Sequence, residues 1–205
     1  MAEILDSKLE FVKKFYYQDL LSARMIAEKL GVSIDAVYYF MRKYKIKRRN
    51  LTEHNAATFF HKPPSFCLKK SLTAQEKELK LLGIVLYWGE GYKVKNGNTV
   101  DFANSDPAMI SVFVKFLRVV CGVTEERLRV YLYCYSNQNP TELIKYWSQL
   151  SGIPSKQFSK PYVRNDYKLG KEDKMRYGLI HVRYNDKKLW LVIMQWIEEY
   201  KSRYA

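Results

Sequence analysis

The sequence predicts an α+β protein in two folded units: an N-terminal three-helix unit over residues 1–49 and, beyond a linker at 50–72, an antiparallel sheet backed by helices over 73–205. Three observations predict it. Residues 7–43 carry apolar side chains at three- and four-residue spacing, punctuated by helix-start and helix-stop residues. Residues 50–72 lose that periodicity and contain Lys62-Pro63-Pro64-Ser65, where proline removes a backbone donor and restricts its predecessor. Residues 127–135, RLRVYLYCY, alternate strictly between apolar and polar, the period of a strand with one buried face.

Residues 7–21 read as an opening helix with Leu9, Val12, Phe15, Tyr16 and Leu20 on one stripe. Ser22 then caps a second helix in which Met25, Ile26 and Leu30 turn inward and Ala27 is the small packing residue. Gly31 stops it, Val32 plugs the turn, and Ser33 caps a third helix buried through Ile34, Val37, Phe40 and Met41. Together, Ala27, Leu30-Gly31-Val32, Val37 and Phe40 match the helix-turn-helix pattern of small, apolar-Gly-apolar, apolar and apolar positions. Such a unit lays its third helix in the major groove of double-stranded DNA, here presenting Ser33, Asp35, Ala36, Tyr38, Tyr39, Arg42 and Lys43, with Tyr38, Tyr39 and Arg42 as base-edge readers.

Charge supports a nucleic-acid partner. The chain has 35 Lys and Arg against 21 Asp and Glu, a formal charge of +14, and a polyanion is the natural partner of such a balance. Charge alone leaves RNA and an acidic membrane surface open. The run from Arg42 to Arg49 sharpens the reading, because Lys43, Lys45, Lys47, Arg48 and Arg49 follow the third helix directly, where they would lie along phosphates. No stretch reaches the roughly 18 apolar residues of a membrane span, so a cytoplasmic, nucleoid-associated protein is expected. Cys67, Cys121 and Cys134 form no CxxC pair, and His54, His61 and His181 are scattered, which suits neither a disulfide framework, nor a zinc site, nor a Ser/His/Asp triad; no small-molecule cofactor is expected.

In the second unit, Thr73-x-x-Glu76 is a capping box opening a helix through Leu79, Leu81, Leu82 and Ile84 to Gly89-Glu90-Gly91. Asn96-Gly97 signals a hairpin between Tyr92–Lys95 and Thr99–Asn104. A helix starts at Asp106-Pro107, and two more occupy 139–152 and 187–200. Strand 127–135 puts Leu128, Val130, Leu132 and Cys134 on one face and Arg127, Arg129, Tyr131, Tyr133 and Tyr135 on the other. The stretch 158–165 repeats the idea with Lys160, Tyr162 and Arg164, and His181 and Arg183 oppose Ile180 and Val182.

The run LLGIVLYWGEG, Leu81 to Gly91, resembles the LAGLIDADG motif, and the alternation of helices and strands after it is similar to that family. The resemblance implies a curved sheet that reads the major groove through its Arg, Lys, Tyr and His face. It further implies a DNA endonuclease in which Glu90 is the catalytic, Mg²⁺-binding carboxylate, with Lys93, Lys95 or Arg183 steadying the phosphate. With no second acidic motif in the chain, such an enzyme would have to be a homodimer. Two departures keep the alternative open. Gly-Glu-Gly is also an ordinary turn, and Val85, Leu86, Tyr87 and Trp88 are bulky where the family packs helices through small residues, leaving only Gly83 and Gly89 small. A non-catalytic transcriptional regulator is the competing reading, since a family of bacterial transcription factors also joins a LAGLIDADG-like domain to a helix-turn-helix.

Overall fold

The computed structural model describes residues 4–94, 97–165 and 175–204. The class is α+β, with eight α-helices and one four-stranded mixed sheet among the described residues. Two compact units divide the chain, Met1–Pro63 and Pro64–Ala205, each around its own apolar core.

In the first unit, a 3-10 turn at Asp6–Lys8 leads into α1 (Leu9–Lys13), which widens to a π-helical turn at Lys14–Gln18. The helix expected over 7–21 therefore stops early. Leu20 takes a positive φ of 54° and the Leu21 N–H donates to the Phe15 carbonyl at 2.8 Å, a left-handed closure that satisfies a terminal carbonyl. Next come α2 (Ala23–Leu30) and α3 (Ile34–Lys43), capped as expected: Ser22 Oγ accepts from the Met25 N–H and Ser33 Oγ from the Ala36 N–H. Each such cap contributes about 1 kcal/mol. Between them Gly31 sits at φ 67°, a left-handed position open to glycine, and the Val32 N–H reaches back to the Ala27 carbonyl. Ala27, Val37 and Phe40 are buried with Val12, Tyr16, Ile26, Met41 and Ile46.

The aperiodic linker expected over 50–72 is corrected: Leu51–His61 is a helix, α4. Asn50 and Glu53 form its capping box, each side chain accepting from the other's backbone N–H at 2.9 Å. Ala57 is its one buried residue, so apolar periodicity could not reveal it. Pro63 and Pro64 follow the helix end.

The second unit runs α5 (Ala74–Glu90), β1 (Val100–Asn104), α6 (Pro107–Val119), β2 (Leu128–Tyr135), α7 (Pro140–Ser151), β3 (Tyr162–Arg164), β4 (Leu179–Tyr184) and α8 (Lys187–Tyr204). The sheet order is β1-β4-β2-β3. β4 is antiparallel to both β1 and β2, whereas β3 is parallel to β2, so the sheet is mixed rather than antiparallel. The chain reaches β3 from β2 through a crossover containing α7, the connection a parallel pair requires. The expected 92–95/99–104 hairpin reduces to a bridge between Gly91 and Phe102, with Lys95 and Asn96 outside the described residues. The expected strand 158–165 shrinks to Tyr162–Arg164, plus one bridge from Phe158 to Val130. Leu150, on the apolar stripe of α7, is exposed.

The back of the sheet (Val100, Phe102, Leu128, Val130, Leu132, Cys134, Ile180, Val182 and Tyr184) is buried in one cluster with Phe113 and Phe116 of α6, Trp147 of α7, and Ile193 and Ile197 of α8. Rings of Phe102 and Phe113 stack at 4.2 Å. α5 joins the core through Ile84 and Tyr87, and it lies close to α6 because Gly83 is there: a Cβ would stand 2.2 Å from the ring of Phe116. Segment 65–69 is tied to the unit by Cys67 N–H to the Gly122 carbonyl and by Asp186, which accepts from the Ser65 backbone and hydroxyl. Asp186 also caps α8 through the Lys188 and Leu189 N–H groups. Burial opposes its charge, but these hydrogen bonds outweigh it and hold the carboxyl below the ordinary aspartate range. Cys121 and Cys134 are buried and Cys67 exposed, all three as free thiols. Burial pushes both buried thiols upward. Among the described residues no helix is long and apolar enough to cross a membrane.

Candidate nucleic-acid interface

The first candidate surface is the outer edge of α3. Burying Val37, Phe40 and Met41 leaves the opposite stripe, Asp35, Tyr39, Arg42 and Lys43, exposed at helical spacing. Tyr39 is 58% exposed. Of the other residues expected here, Ser33 turns its hydroxyl to the cap, and Tyr38 is half-buried with the Arg48 guanidinium 4.8 Å above its ring. Lys43 is bridged to Asp6 at 2.8 Å, which lowers the Asp6 carboxyl and raises the Lys43 ammonium.

The cationic run divides in two. Lys45, Lys47 and Arg48 are exposed, and the Tyr17 hydroxyl anchors the run by donating to the Lys47 carbonyl. Arg49, expected on phosphate, is corrected to an internal clamp. Its guanidinium donates to the Leu21 carbonyl at 3.1 Å and to the Tyr16 carbonyl, and lies 4.1 Å from the Tyr16 ring centroid. Lys47, Arg48 and Arg49 line one wall of an open cleft of about 570 Å³ shared with Tyr17, Leu20 and Glu53.

The second surface is the front of the sheet. The alternation that buries Leu128, Val130, Leu132 and Cys134 turns Arg129, Tyr131, Tyr133 and Tyr135 forward, and register aligns His181 beside Tyr131, Tyr162 beside Tyr133 and Arg164 beside Tyr135. The Tyr133 ring lies 5.0 Å from that of His181 and 5.4 Å from that of Tyr162, a row of aromatics across three strands. Lys160 is exposed just ahead of β3. Arg127 is corrected: it closes the 3-10 turn Glu125–Arg127, donates to the Asn185 carbonyl at 2.6 Å and so is not on this face.

One front residue, Asp101, escaped the sequence reading. Arg183 is directly opposite Arg129 on one side and Asp101 on the other. Two guanidiniums facing each other across strands repel, and the structure separates them. Arg129 Nη1 donates to the Glu126 and Leu128 carbonyls, while Arg183 Nε donates to Asp101 Oδ2 at 2.6 Å. Asp101 Oδ1 lies 2.9 Å from His181 Nδ1, and the Arg183 guanidinium lies 4.3 Å from the centroid of Tyr131. Partial burial works against the charge on Arg183, but the Asp101 carboxylate outweighs it and raises the pKa above the usual value. Asp101 alternates with buried Val100 and Phe102, a signal readable in the sequence. Its partners were not readable, because the β1–β4 register joins residues 82 apart.

Glu90 ends α5, exposed, with Gly91 as the C-cap. Lys93 does not reach outward for phosphate; its ammonium donates to the Gly91 carbonyl at 2.7 Å, a favourable site for a cation at a helix C-terminus. The side of α5 away from the core carries Leu81, Leu82, Val85 and Trp88, each 41–50% exposed. Gly83, by contrast, faces α6, so of the two small residues of the motif only Gly89 is exposed. Mg²⁺ is commonly held by one or two carboxylates with waters and substrate oxygens completing its shell. That cation takes an octahedral set of oxygens, and among the described residues no three His, Cys, Asp or Glu side chains converge. Both Asp101 oxygens are already engaged.

Compared with models of known protein families, with curated proteins and with solved structures, the chain matches none.

Proposed function

We propose that this chain is a sequence-specific double-stranded-DNA-binding protein with two reading surfaces, α3 of a helix-turn-helix and the front of a LAGLIDADG-like sheet. The observation that carries the reading is the exposed edge of α3, Asp35-Tyr39-Arg42, running directly into Lys43, Lys45, Lys47 and Arg48. In this reading α3 lies in the major groove, where Arg42 offers donors to guanine and Asp35 accepts from cytosine. The cations that follow neutralise phosphates and release counterions. The aromatic and cationic sheet face supplies the second surface, and two surfaces on one chain raise avidity beyond either.

The test is duplex binding of the full chain by fluorescence anisotropy, with Arg42→Ala and Tyr39→Ala alongside. Each variant should weaken binding to selected sites by about 1–3 kcal/mol. Equal affinity of all three proteins for every duplex would overturn the role of α3.

A second reading, Mg²⁺-dependent strand cleavage by a homodimer, is favoured by the exposed Leu81-Val85-Trp88 stripe on α5. A second copy covering that stripe would bring two Glu90 carboxylates to one end of the helix pair, enough to hold a Mg²⁺ together with waters and phosphate oxygens. Sedimentation of wild type and Val85→Glu tests the pairing, and incubation of DNA with wild type and Glu90→Gln in Mg²⁺ or Ca²⁺ tests the chemistry. Cleavage with Mg²⁺ that Glu90→Gln loses would establish a nuclease. Intact DNA bound equally by both proteins would leave a non-catalytic regulator.

A further inference from the structure

We infer that Arg183 is the guanine-reading side chain of the sheet face and that Asp101 is its positioning residue. The inference rests on the reading that this face lies on duplex DNA, and deepens it by assigning a base.

An exposed arginine ordinarily lacks a fixed direction. A guanidinium on a flexible stem must lose rotamer freedom before both of its donors meet two acceptors. On this sheet that order is already built. Asp101 Oδ2 holds Nε at 2.6 Å, the Tyr131 ring supports the guanidinium plane at 4.3 Å, and β4 is an interior strand between β1 and β2. Asp101 is in turn fixed by His181 Nδ1 on its other oxygen and is only 6% exposed. With Nε committed, the remaining donors are the paired Nη1 and Nη2, on a side chain 31% exposed. A fork of two parallel donors matches O6 and N7 of guanine in the major groove, whereas adenine offers a donor in place of O6.

A phosphate also accepts two donors, and the carboxylate decides between them. Asp101 beside the guanidinium places a negative charge where a phosphate would bring another, and the two would compete for one cation. The neutral guanine edge meets no such repulsion. Arg129, opposite Arg183 in register, commits its Nη1 to backbone carbonyls, which leaves Arg183 as the guanidinium offered at this point.

The experiment selects binding sites for the full chain from random duplexes at fixed salt. Wild type, Arg183→Lys and Asp101→Asn are then compared on the selected site, on single-base variants, and on sites carrying 7-deazaguanine. Wild type should prefer guanine at one position by about 5- to 150-fold, and 7-deazaguanine there should remove much of it. Arg183→Lys keeps the charge but not the fork, so it should flatten preference at that position alone. Asp101→Asn should weaken the same preference, with the other positions unchanged and the far-UV circular dichroism intact. If Arg183→Lys kept every base preference, the inference would be wrong. It would equally be overturned if the variants lost affinity evenly across all sequences, the signature of a phosphate contact or of a merely structural role. A wild type that selects no duplex would instead overturn the function proposed above, and this assignment with it.

Discussion

Replacing Gly83 with alanine should destabilise the second unit, although alanine is the better helix former. In the interior of α5 the exchange gains about 1 kcal/mol of backbone propensity. Against this, the new Cβ would stand 2.2, 2.5 and 2.6 Å from three atoms of the Phe116 ring. Phe116 is fully buried, with its ring against those of Phe113 and Trp196 at 5.7 and 6.3 Å, so it cannot move away without displacing them. Overpacking of this kind costs typically 1–3 kcal/mol, and contact with three ring atoms places it at the upper end. The net expectation is a loss of about 1–2 kcal/mol, or a melting temperature lower by roughly 3–8 °C. The assay isolates the unit concerned, because Trp88, Trp147, Trp190 and Trp196 all lie beyond Pro63 and tryptophan fluorescence reports the second unit alone. A Gly83→Ala protein that melts at or above the wild-type temperature would show that α5 does not need its close approach to α6.

Further expectations follow from the two surfaces and their supports. Arg48→Ala should reduce the salt slope of duplex binding by about one and leave stability unchanged, whereas Arg49→Ala should lower the helical melting transition of the first unit, read by far-UV circular dichroism; the reverse pattern would exchange their roles. Asp186 has a depressed pKa, so its ionised form contributes stability that is present above the unfolded-state value of about 3.9 and is lost as pH falls through the lower folded value. Asp186→Asn keeps a capping side chain without the charge, and its stability deficit against wild type, measured by tryptophan fluorescence, should therefore narrow as the solution is acidified below about pH 4. A deficit that stays constant or widens would contradict the hydrogen bonds assigned to the carboxylate.

Much of the fold was legible because local chemistry wrote it. Ser22, Ser33 and Thr73 cap the helices expected of them, the helices expected from Asp106 and from residue 139 begin there, and strict alternation placed β2 to within one residue. Elements that depend on few buried residues were not legible. α4 buries Ala57 alone, and β3 is three exposed residues whose place in the sheet comes from pairing with β2, not from its own pattern. The candidate surfaces divide the same way. Residue type singled out Tyr39, Arg42, Tyr131 and Arg183 as candidates, but could not tell an outward cation from one turned back to the chain. Arg49, Arg127 and Lys93 all donate to backbone carbonyls fixed by tertiary structure, and Asp101 gained its partners only through strand register.

The measurement that bears most directly on the whole account is the ratio of affinities of the full chain for its best selected duplex and for random duplex of equal length, at one physiological salt concentration. A sequence reader should show a ratio of about 10³ or more, with both affinities falling as salt rises. A ratio near one, with the salt dependence intact, would mean that the charge of +14 binds any polyanion and that neither α3 nor the sheet face reads bases.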